Sequence, residues 1–133
     1  MKKLELIKRI YEDYELIGDE DIFKLTHGNK VTPIITKTGI QKIIGIEKYQ
    51  YSFDVISVEP DYCAVQCTVW KDGNELASSF GSAEKANVKN AAKYYLEMAE
   101  KRAKARAVLI AVGVHGYMYS EDEADEFKQK PNE

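Results

Sequence analysis

Apolar residues at Leu4, Ile7, Ile10, Tyr11, Tyr14 and Ile17 recur in steps of three and four, which predicts an amphipathic helix over residues 2–17. Gly18, followed by Asp19, Glu20 and Asp21, stops it. Residues 22–31 show no clear period, and His27-Gly28-Asn29 reads as a turn. Residues 33–45 predict a short helix capped by Thr36 or Thr38, with Ile40, Ile43 and Ile44 inward and Gly45 at its end. The period then changes to two. Residues 49–59 alternate, placing Tyr49, Tyr51, Phe53, Val55 and Ser57 on one side and the wetter Gln50, Ser52, Asp54 and Ile56 on the other. Residues 62–71 are rich in β-formers and contain Trp70; Asp72-Gly73 is a two-residue hairpin signal, and residues 75–80 give a third strand. Gly81-Ser82 is expected to break that strand, and a long alanine-rich helix to begin near Ser82 or Glu84 and run to Gly113. The pattern predicts an α+β fold: an N-terminal helix, a short helix, a three-stranded antiparallel meander and a long C-terminal basic helix packed on one sheet face.

Composition changes the picture at two places. The chain has 133 residues and net charge −3, which fits one domain with room for a core. Against that acidic background, residues 85–106 hold Lys85, Lys89, Lys93, Lys101, Arg102, Lys104 and Arg106 with only Glu97 and Glu100 opposed, a local +5. Residues 119–133 carry six acids and two lysines, a local −4. The expected organisation is one domain over residues 1–118 and an acidic tail over 119–133 that begins as a short helix and frays. A basic helix in an acidic protein implies an anionic partner at that helix.

On a helical wheel, with Lys85 at the origin, Val88, Ala91, Ala92, Tyr95, Leu96, Ala99, Ala103 and Ile110 form the expected core face. Lys89, Lys93 and Lys104 cluster beside it and Lys101 lies further round, giving an exposed basic ridge. Arg102 and Arg106 fall at roughly 260° and 300°, inside the apolar sector. Arginines there need either a buried acid, such as Asp54 or Glu59, or a polar groove in which their planar forks grip phosphates. Both readings stand on the sequence. Tyr49, Tyr51 and Phe53 share a strand face near Lys48. That combination suits either core packing or a stacking platform for unpaired bases.

Enzyme signals are thin. Neither GNKVT nor GSAEK is a phosphate-binding glycine loop. Cys63 and Cys67 lie four apart in a strand with no histidine nearby in sequence, so they read as reduced, structural thiols that do not bridge. His27 and His115 lack a cysteine pattern for zinc. Asp54, Glu59 and Asp61 lack the lysine spacing of a nuclease. No catalysis, no cofactor and no metal are expected. The N-terminal stretch lacks the apolar block of a signal peptide and no apolar run suits a membrane span, so the expectation is an intracellular protein, in the cytoplasm of a cell or of an infected host cell.

The segment at residues 35–43 (ITKTGIQKI), a three-strand meander with a DG turn, and MAEKRAKARAVLIAVGV followed by SEDEADEF together carry a resemblance. Over residues 33–127 the chain resembles the single-strand annealing and single-stranded-DNA-binding proteins of phages and archaeal viruses. The helix pattern of that family is matched by Ala99, Glu100, Arg102, Ala103, Arg106 and Ala107. The resemblance implies a β-β-β-α core that binds unpaired strands in replication or recombination, often as homo-oligomers, without metal or nucleotide. It assigns Arg102 and Arg106 to the groove or its surroundings. The N-terminal region is shorter than in many annealing proteins, which favours strand binding over annealing.

The expected interface is therefore Lys89, Lys93, Lys101, Arg102, Lys104 and Arg106 for phosphates, with Tyr49 and Tyr51 for stacking, on single-stranded DNA in preference to RNA. The acidic tail is a candidate for recruiting proteins or for competing with the nucleic acid. Two alternatives stay open. A three-stranded sheet followed by a basic helix also looks like a double-stranded-RNA-binding domain, although GSAEKANVKNAAKYYL lacks a compact lysine cluster. A protein–protein adaptor of a small virus or mobile element is the other.

Overall fold

The computed structural model describes residues 3–84 and 94–128. In chain order they form α1 (Lys3–Asp13), β1 (Ile22–His27), β2 (Lys30–Ile35), α2 (Lys37–Glu47), β3 (Gln50–Glu59), β4 (Tyr62–Lys71), β5 (Asn74–Glu84), α3 (Tyr95–Ala111), β6 (Tyr119–Ser120) and α4 (Glu121–Lys128). The fold is α+β, as the patterning predicts, but it holds two three-stranded sheets rather than one. The first is ordered β1-β2-β6, with β6 parallel to β2. The second is the antiparallel meander β3-β4-β5.

The hairpin of the first sheet occupies the segment without a clear period and also the first three residues of the helix expected over 33–45, which are strand; α2 begins only at Lys37. β1 and β2 pair from Ile22↔Ile35 to His27↔Lys30, and Gly28 turns the hairpin at φ +59°, a conformation that glycine takes without steric cost. Thr36 then caps α2, its side chain accepting from the Gly39 amide at 3.2 Å. Gly45 does not end this helix; α2 continues to Glu47 and closes on Lys48 in the left-handed conformation.

Asp72 and Gly73 both take positive φ, 52° and 81°, as the tight β4–β5 hairpin demands. Gly81-Ser82 does not break β5, which runs on to Glu84. The strand needs a glycine at 81 for another reason: a Cβ there would strike the backbone of Ala99 and Ala103. α3 packs directly on β5 at this point, and its alanines permit the close approach. Ser82 and Glu84 lie in the strand and α3 spans Tyr95–Ala111; the part of the expected helix at residues 85–93, with Lys85, Val88, Ala91 and Ala92, lies outside the described residues.

α3 lies across β4 and β5 and also touches α2, β6 and α4. Ala99, Ala103, Ala105, Ala107, Val108 and Leu109 are all buried, so the helix is wrapped on more than one side. That is why the single core face drawn on the wheel fails for Leu96 and Ile110, which are exposed. One apolar core joins Ile22 and Ile35 of the first sheet, Val65, Cys67 and Val69 of the second, and the alanines of α3. The helix predicted over residues 2–17 ends at Asp13, and only part of its stripe is spent: Ile10 on α1 and Tyr14 just beyond it are buried, while Leu4 and Ile17 stay exposed.

Residues 119–128 of the acidic segment are built into the fold. Ser120, Glu123 and Ala124 are buried, and Glu121 Oε1 accepts the Lys37 amide at 2.7 Å, adding a negative charge to the first turn of α2. Ser120 and Glu123 form a reciprocal capping box: the Glu123 amide donates to Ser120 Oγ at 3.1 Å, and the Ser120 amide donates to Glu123 Oε1 at 3.1 Å.

Candidate nucleic-acid interface

The alternation of β3 puts Tyr51, Phe53 and Val55 on the face that turns toward α3. Phe53 is opposite Cys67, and Val55 opposite Val65, in the buried row of β4. β3 is an edge strand, and α3 covers β4 and β5 more fully. Tyr51 and Val55 therefore stay 40% and 52% exposed although they lie on the core side of the sheet. The result is a groove between β3 and α3. At its Tyr51 end is a shallow pocket of about 220 Å³ lined by Tyr51, Phe53, Glu97, Glu100, Lys101 and Lys104.

Within it the Tyr51 and Phe53 rings meet edge to face, 5.7 Å between centroids at 72°. Lys104 Nζ lies over the Tyr51 ring, 5.1 Å from its centroid. This is cation–π distance, where the ring's negative face attracts the ammonium. Lys101 is exposed one turn before, and Lys104 is half-buried. Glu97 and Glu100 stand four residues before the two lysines, a spacing that supports the helix and offsets their charge. The pocket is thus aromatic and charge-balanced rather than strongly basic.

The expected interface residues divide sharply. Tyr51, Lys101 and Lys104 come together. Tyr49 does not join them: it is buried, and burial followed by the nearby Glu47 charge pushes its hydroxyl up to about 12. A ring enclosed in this way has no face for a base. Lys89 and Lys93 lie outside the described residues.

Arg102 is wholly buried, so its guanidinium presents nothing to a bound strand in this conformation. Its NH1 group donates to the Ser82 carbonyl at 2.8 Å. Arg106 donates from NH1 to the Phe80 carbonyl at 2.8 Å and from Nε to Glu123 Oε2 at 3.0 Å. The two arginines, one helical turn apart, hold two carbonyls two residues apart along β5. The acid that Arg106 meets is neither Asp54 nor Glu59 but Glu123. Glu123 is 2% exposed and also lies 2.8 Å from His115 Nε2 through the same oxygen that meets Arg106. The acidic run 121–126 conceals it, because such a composition is that of a solvated tail. The Ser120-x-x-Glu123 spacing is the signal that marks it as a helix start with a side chain turned inward.

Two further polar clusters lie around α2. Asp21 is fully buried; its Oδ2 accepts from Lys42 Nζ at 2.6 Å and from the Ile17 amide at 2.8 Å. Burial pushes this carboxyl up, but the Lys42 hydrogen bond, the Ile17 amide and the Lys42 charge outweigh it, so the net shift is downward. Glu47 accepts from Lys71 Nζ and from the Tyr14 hydroxyl, each at 2.5 Å, and these bonds hold it below the usual carboxylate range against its burial. Both clusters fasten α2 to its neighbours. Among the described residues no group of three or more His, Cys, Asp or Glu is placed to hold a metal ion. Cys63 and Cys67 are free and buried, and burial pushes the Cys67 thiol up to about 11, away from the nucleophilic thiolate. Among the described residues no helix is long and apolar enough to cross a membrane.

The chain matches no protein-family model, and no curated protein sequence matches it significantly.

Proposed function

We propose that this protein binds single-stranded nucleic acid, DNA in the first place, in the groove between β3 and α3, without catalysing a reaction. The observation that carries the reading is the Tyr51–Phe53 pair on an open strand face with Lys104 above it and Lys101 beside it. An accessible aromatic face offers stacking to any unpaired base, and adjacent lysines offer phosphate contacts along the same strand. The resemblance of residues 33–127 to strand-annealing and single-strand-binding proteins points to the same ligand. In this reading Arg102 and Arg106 act behind the groove, fixing α3 to β5.

The test is fluorescence anisotropy of the full chain with unstructured DNA and RNA oligonucleotides and with duplexes, over a salt series. The expected result is preference for single strands with affinity that falls as salt rises, through release of counterions. Equal binding of duplex, or no binding at low salt, overturns it. Retained affinity in a Tyr51→Ala, Lys104→Met double variant moves the site elsewhere.

A further inference from the structure

The two edges of the second sheet are treated differently. β5 is overlaid by α3 at Gly81, and its Phe80 and Ser82 carbonyls are held by Arg106 and Arg102. β3 has no such cover. It is ten residues long and carries no lysine, arginine or proline, the residues that commonly discourage edge pairing. Tyr51, Val55, Ile56 and Val58 are 40%, 52%, 55% and 61% exposed. Among the described residues, no strand pairs with the side of β3 away from β4. A bulge at Ile56 disturbs the second half of the strand, but residues 50–55 keep regular register with β4.

We propose that β3 pairs antiparallel with β3 of a second copy, closing a two-fold dimer around a continuous six-stranded sheet. The strand is self-complementary when the axis passes at Phe53. Phe53 then faces its own copy, Tyr51 of one chain faces Val55 of the other, and Asp54 faces Ser52. Aromatic and β-branched side chains meet across the junction, a favoured class of cross-strand pair, and the Asp54 carboxylate never opposes itself. The competing arrangement, β3 of one copy on β5 of the next, would grow without closing unless its rotation formed a ring. α3 and its two arginines obstruct it. An axis normal to the sheet keeps both α3 helices on one side and sets the two β3–α3 grooves side by side across the β3–β3 seam, running in opposite directions.

Sedimentation equilibrium of the full chain without nucleic acid tests this, independently of what the groove binds. The expected result is a reversible monomer–dimer equilibrium in the micromolar range, with the dissociation constant raised at least tenfold by Val55→Lys. Ile46→Lys, on the exposed side of α2, should leave it unchanged. Phe53→Cys should form a disulfide-linked dimer on mild oxidation, because directly opposed residues hold their Cβ atoms roughly 5 Å apart. A wild-type monomer at every concentration overturns the proposal, as does open-ended growth beyond the dimer. A dimer insensitive to Val55→Lys with no Phe53→Cys cross-link places the contact on another surface and equally overturns it.

Discussion

Arg106 reaches Glu123 across 3.0 Å, and through that bond the middle of α3 grips the first turn of α4. Glu123 meanwhile accepts from the Ser120 amide and lies beside His115, so one buried carboxylate gathers three separate pieces of the chain. Removing it strips charged and polar partners of an acceptor. Glu123→Ala should cost about 3 kcal/mol, at the lower end for breaking a buried pair because the Arg106 side chain keeps 28% of its surface exposed. Denaturant unfolding of Glu123→Ala, Arg106→Ala and the double variant checks this. The double variant should lose less than the sum of the singles, since the two share one interaction.

Gly81→Ala should destabilise by about 2 kcal/mol or more, because the added methyl meets helix backbone rather than a side chain that can move. Thermal unfolding reads the loss. The nearby Ser82→Ala is the control, since it leaves the Ser82 carbonyl and the strand intact.

Tyr51→Ala separates binding from stability. Because the ring is 40% exposed, unfolding should shift little. Loss of one stacked base should weaken single-strand affinity by about 1–3 kcal/mol. Lys101→Met should instead reduce the slope of log affinity against log salt by about 1, the mark of a lost phosphate contact. An unchanged slope would remove Lys101 from the interface.

Stability should fall toward both ends of the pH scale, for different groups. Asp21 and Glu47 have folded values below their ordinary ones. Their contribution is present above the ordinary carboxylate range and is lost as pH falls through the lowered folded values. Lys42→Met should flatten the Asp21 share of that acid limb. Tyr49 behaves oppositely: with its hydroxyl pushed up to about 12, its contribution is full below the ordinary tyrosine value and lost as pH rises toward the folded one. Tyr49→Phe should remove that alkaline share. Unfolding free energy measured from acid to alkaline pH reads all three.

The sequence made legible what depends on local rules. The β3–β4–β5 meander, the Asp72-Gly73 turn and the Thr36 cap follow from period, φ preference and a side-chain acceptor near a helix start. It hid what depends on remote pairing. Residues 22–35 carry a weak period because Pro33, Thr32 and Lys24 interrupt it, and the hairpin they form is completed by residues far along the chain. The helix wheel correctly set Arg102 and Arg106 apart, yet a wheel treats one face as core. α3 packs on several sides, so the angle alone cannot say whether an arginine meets solvent, a strand or an acid. The candidate groove was legible at Tyr51 and Lys101, whose exposure follows from an edge strand and the ridge beside it, with Lys104 half-buried between them. It was not at Tyr49, whose place beside Glu47 and the core is set by the end of α2.

The parallel β2–β6 pairing governs the order in which the chain can fold. β2 receives its third-strand neighbour only when Tyr119 and Ser120 arrive, long after β1 and β2 have been made. A contact between segments so distant in sequence adds loop-closure entropy that local pairs do not carry, and it forms after them. The first sheet therefore stays two-stranded while the segments that follow it in the chain, the meander and α3, assemble. A nascent chain that has exposed α3 but not yet residue 119 should hold an organised second sheet while its first sheet still lacks its third strand.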